Sequence, residues 1–119
     1  MSLTALVSVK LVSGTSTNNT LSGQLMVRVR NNDWRKICSG IGMNEASVAC
    51  RELGFKNAVL LKETYLAYSF PYYVTCRGNE SSLNNCSLGY RRCNYQARIM
   101  CYNGSADAGK HALAMTTLR

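Results

Sequence analysis

The chain has 119 residues, six cysteines, one histidine and a formal net charge of +8, which describes one domain with a modest core. No CxxC pair occurs and the sole histidine, His111, stands near the C-terminus, so the usual zinc pairings and a Ser-His or Cys-His nucleophile both lack their parts. No run of residues reaches membrane-spanning length.

In chain order, Ala5–Val12 alternates and predicts a strand, and Ser13–Ser22 is turn-forming. Gly23–Arg30 predicts a second strand with Leu25, Val27 and Val29 on one face and Met26, Arg28 and Arg30 on the other. Asn31-Asn32-Asp33 turns the chain into a third short strand, Trp34–Cys38, giving a β-hairpin. Ser39–Met43 then leads as a loop into NEASVACRELGF, the most completely signalled stretch of the chain. Ala46, Ala49, Cys50 and Leu53 recur at helical spacing, Asn44 is a good N-cap, and Glu45 suits the positive end of the dipole. Gly54 suits the left-handed position that stops a helix, with Phe55 folding back on the apolar face. Beyond it, Ala58–Leu61 and Tyr65–Phe70 are apolar and fit either regular structure. Pro71 breaks the run, Tyr72–Cys76 predicts a strand, and Arg77–Asn85 a loop with at most one helical turn. Ala97–Tyr102 is the expected closing strand. One helix among short β-like runs gives the expected class: a small disulfide-rich α+β domain, a curved antiparallel β-sheet cradling one α-helix at about Asn44–Leu53.

An even cysteine count in a small chain fits three disulfides and an oxidising compartment, although six cysteines allow fifteen pairings. Four N-x-S/T sequons, at Asn18, Asn79, Asn85 and Asn103, agree with an extracellular glycoprotein, Asn85 being crowded by Cys86. The opening MSLTALVSV lacks the basic and apolar regions of a secretory leader, so either Met1 is a cloning start or the chain is a piece of a larger secreted or membrane-anchored protein.

These residues carry a family resemblance. VSVKLVSG, GQLMVRVRNNDWRKIC, ASVACRELGF, CRGNESSLNNC and the closing Cys93, Ala97 and Cys101 resemble, in order, the landmarks of the scavenger receptor cysteine-rich (SRCR) domain. The resemblance implies the six-cysteine subgroup, paired Cys38–Cys93, Cys50–Cys101 and Cys76–Cys86. It places an SRCR-like domain over residues 5–103, with 104–119 a tail, linker or cloning remnant. It implies a non-catalytic extracellular recognition module, or an accessory domain of a larger secreted or membrane-anchored enzyme such as a serine protease. The departures matter too. Family members that hold calcium-like cations use an Asp-Asp pair after the first shared cysteine and acidic residues before the last. Here those positions read Ser39-Gly40 and Tyr95-Gln96, and a hard cation needs several anionic oxygens. We therefore expect no cofactor and no metal, in a divergent member.

Charge and aromatics remain. Arg28, Arg30, Arg35 and Lys36 cluster in the hairpin, and Arg91, Arg92 and Arg98 near the end. Their plain reading is a solvated face; their functional reading is a ligand-binding patch for polyanions such as sulfated glycans or microbial surface polymers. Scavenger-type relatives bind such ligands through basic clusters. Tyr65, Tyr68, Tyr72, Tyr73, Tyr90 and Tyr95 supply core or an interface with an extracellular protein. Disulfides and sequons argue against nucleic acid as a physiological partner.

Overall fold

The computed structural model describes residues 6–69, 71–90 and 92–104, with the side chains of residues 66–69 left aside. Ala5, Phe70, Arg91 and the tail from residue 105 lie outside the described residues. Seven strands and one α-helix follow in the order β1 (Val7–Val12), β2 (Thr20–Val29), β3 (Arg35–Lys36), α1 (Met43–Glu52), β4 (Asn57–Ser69), β5 (Tyr72–Thr75), β6 (Ser87–Tyr90) and β7 (Cys93–Tyr102). The main sheet is antiparallel with strand order β1-β2-β7-β4, and β3 joins β2 beyond the end of the β2–β7 ladder. β5 and β6 form a separate hairpin. Among the described residues the chain adopts the expected α+β class with one α-helix.

Alternation builds the core. Leu25 and Val27 of β2 and Ala97, Ile99 and Cys101 of β7 face inward and are buried. Against them lies α1, whose Ala46, Val48, Ala49 and Cys50 are buried, packed on β4 and β7. The bond Cys50–Cys101 therefore joins helix and sheet through the middle of the core. Cys38–Cys93 and Cys76–Cys86 complete three disulfides, the pairing that the resemblance implies. Loop-closure entropy gives about 4 kcal/mol for each of the two long bridges and about 3 kcal/mol for the short one.

The helix starts elsewhere than its sequence suggests. Gly42, not Asn44, is the N-cap, and the Glu45 carboxylate takes the Gly42 N–H at 2.7 Å. Glycine has no side chain to cap with, so only the glutamate half of a capping box forms. The stop is the expected one. Gly54 sits at φ 92°, its N–H donates to Arg51 O and Phe55 N–H donates to Cys50 O, which is a full Schellman motif.

Strand bounds move outward where long-range pairing overrides local composition. β2 begins at Thr20, inside the turn-forming run, because Thr20–Gln24 pair with β7. The two ambiguous apolar runs after the helix are one bulged strand, β4, on the same partner. β7 begins at Cys93 rather than Ala97, and β6 had no signal in the sequence. β3 keeps only Arg35–Lys36, while Ile37 and Cys38 make isolated bridges to Tyr72 and Gln96.

Candidate functional site

On the sheet face turned away from α1, the register aligns Lys10 with Met26 and Met26 with Lys36 across β1, β2 and β3. Two strand spacings separate the lysines at the backbone, about 10 Å. Trp34, just before β3, lies across this face. The Lys10 Nζ stands 4.2 Å from its ring centroid and the Arg28 Cζ 5.0 Å. The indole thus draws one cation from β1 and one from β2 to a single place. Arg98, opposite Gln24, belongs to the same face one strand over. Arg28 and Arg98 each keep a buried Nε–H with no acceptor among the described residues.

The expected basic patch is thus regrouped. Arg28, Lys36 and Arg98 share a face, and Lys10, which composition did not single out, joins them. Arg30 is a correction: it is the first residue beyond β2, with φ 56°, so the alternation that would align it with Arg28 stops at Val29. Arg35 is another. It pairs with Val27, one step out of phase with Lys36, and leaves by the opposite side of the sheet. There its Cζ stands 5.9 Å from the Tyr72 ring centroid and 5.7 Å from that of Tyr90. Arg92 is exposed and one residue from Cys93; Arg91 lies outside the described residues.

Two carboxylates here are committed to the frame. Glu52 accepts from the Ser82 hydroxyl and the Leu83 N–H, and Glu80 from the Arg77 and Gly78 N–H groups at 2.8 Å each. Those backbone donors hold the half-buried Glu80 carboxyl below the usual range. Cys76, Glu80 and Cys86 cluster as metal ligands would, but both sulfurs are spent in their disulfide. Ser39, Gly40 and Ala97 line a cleft of about 210 Å³ in which Glu63 is the one carboxylate. Of the sequon residues, Asn18, Asn79 and Asn85 are exposed, Asn85 within a 3-10 turn, and Asn103 accepts from the Lys56 N–H through its side chain.

Fold, disulfides and sequence define the class. Residues 15–102 match the model of the scavenger receptor cysteine-rich domain, and the chain belongs to that family. SRCR domains are extracellular binding modules, receptor-type rather than catalytic, and the chain is an extracellular domain. Among described residues no helix is long and apolar enough to cross a membrane.

Particular relatives come next. The chain is 38% identical over 87 residues to galectin-3-binding protein of Bos taurus, covering 61% of this chain, and 33% identical over 118 residues to that of Rattus norvegicus, covering 90%. It spans only 15% and 20% of those two proteins. Among solved structures it is similar to the dimeric form of the SRCR domain of mouse MARCO, with TM-score 0.61 and 30% identity over 73% of this chain and 92% of that one. CD5_DIII shares the fold at TM-score 0.54 and 18% identity, over 82% and 98% of the two chains.

Proposed function

We propose that this domain is a non-catalytic recognition module that binds polyanions, sulfated glycans or microbial surface polymers, through the face built on Lys10, Arg28, Lys36 and Arg98, without a metal ion. The observation that carries this reading is Trp34 gathering Lys10 and Arg28 beside Lys36. Cations held by an aromatic ring lose less side-chain freedom on meeting a ligand, and unmet guanidinium donors favour an anionic acceptor. Ser39, Gly40, Tyr95 and Gln96 supply no carboxylate for a cation-bridged mode.

The test is elution from immobilised heparin in a salt gradient. Each sulfate-like contact adds roughly 0.7–0.9 to the slope of log affinity against log salt, on the scale of nucleic-acid polyelectrolytes. The double variant Lys10→Glu/Arg28→Glu elutes at distinctly lower salt, and Lys36→Glu, which leaves the indole's neighbours in place, shifts in the same direction. A chelator changes neither. Wild type and both variants eluting together, with unaltered melting, would refute the reading.

A further inference from the structure

The opposite side of β3 carries a second arrangement that the polyanion face does not use. Tyr72 and Tyr90 are cross-strand partners in the β5–β6 hairpin, with ring centroids 4.9 Å apart and the Tyr90 hydroxyl donating to that of Tyr72 at 3.3 Å. Tyr72 is buried and anchors the pair; Tyr90 is 65% exposed. Over both rings lies the Arg35 guanidinium, exposed and with no hydrogen bond or ion pair among the described residues. A second pair, Tyr95 and Tyr65, faces across β7 and β4, 44% and 68% exposed, with Tyr95 next to Gln96, whose backbone bridges Cys38.

We infer that this tyrosine ledge with Arg35 docks an acidic segment of another protein, one carboxylate taken by the guanidinium and its neighbours lying on the rings. The chemistry favours that occupant over a polymer of sulfates. A single planar fork beside two aromatic rings matches one carboxylate in two-point geometry, whereas a polyanion track wants several cations in a row. Arginine and tyrosine are the residues protein interfaces concentrate at their centres. Because Arg35 and Lys36 leave the sheet on opposite sides, the two surfaces can be occupied together.

The probe is poly-L-glutamate, immobilised, with the whole domain in solution at about 0.15 M salt. Arg35→Ala weakens binding about tenfold, the scale of one charge-assisted two-point contact, and leaves elution from heparin unchanged. Arg35→Lys keeps the charge but not the fork, and loses most of the same affinity. Tyr90→Ala loses part of it. Lys10→Glu/Arg28→Glu changes net charge by four (two per residue) against one for Arg35→Ala, yet binds the probe more tightly than Arg35→Ala does. Wild-type binding by Arg35→Ala or Arg35→Lys overturns the inference. So does a larger loss in the double reversal, which would mark general charge attraction. Heparin elution is scored separately, so the polyanion face and the tyrosine ledge can fail independently.

Discussion

The Glu45 Oε2 accepts the backbone N–H of Cys76 at 2.8 Å, thirty-one positions along the chain, while its Oε1 takes the N–H of Gly42. One buried carboxylate therefore fastens the start of the helix to the end of β5, beside the Cys76–Cys86 bridge. Glu45→Ala strands two backbone donors and costs about 2–4 kcal/mol. Glu45→Gln, which keeps an acceptor in place, costs less. Urea unfolding of the three proteins checks the order; equal stability of wild type and Glu45→Ala would show that the link is idle.

A close backbone approach sets the second prediction. A Cβ on Gly14 would stand 1.9 Å from the carbonyl oxygen of Ser22, where Thr15 and Ser22 exchange backbone and side-chain hydrogen bonds. Gly14→Ala must push the 13–15 segment off β2, and we expect a loss of about 2 kcal/mol or more in thermal unfolding, like other overpacking changes.

Acid behaviour follows from Glu80. Its folded-state pKa lies below the unfolded value, first because of the Arg77 N–H. The stability it contributes is present above the unfolded pKa, about 4.3, and is lost as pH falls through the lower folded value. Glu80→Gln removes that titration. The melting temperature of the variant should fall less steeply than that of wild type below about pH 4.3, with parallel curves at neutral pH.

Trp34 is the chain's single tryptophan and lies between the cations assigned to ligand. Titrating heparin should change its fluorescence in a saturable way, in wild type but not in Lys10→Glu/Arg28→Glu. A saturable binding curve by another method with a silent Trp34 would move the ligand off this face.

Local signals were legible where structure is local. The 3.6 period over Ala46, Ala49 and Cys50 located α1, and Gly54 its end, because both are written within a few residues. The cap was not, since Gly42 works through a carboxylate that also serves Cys76. β4 and β6 needed partners that composition does not name. The same holds for the basic surface. Its residue types were visible, but the grouping depended on register: Arg30 falls just past a strand end, Arg35 is one step out of phase, and Lys10 enters only because β1 lies beside β2.

The brevity of β3 has its own consequence. A two-residue strand has little ladder of its own to fix its alignment, and sliding it by one position would send Arg35 to the polyanion side and Lys36 to the tyrosines. The slip is opposed by the buried Ile37 side chain, by the hydrogen bonds from Ile37 N–H to Leu25 O and from Cys38 N–H to Tyr72 O, and by the covalent tie two residues on, Cys38–Cys93. Together they act as the index pin of a two-sided device, holding Arg35 on the side of the tyrosines and Lys36 on the side of Trp34.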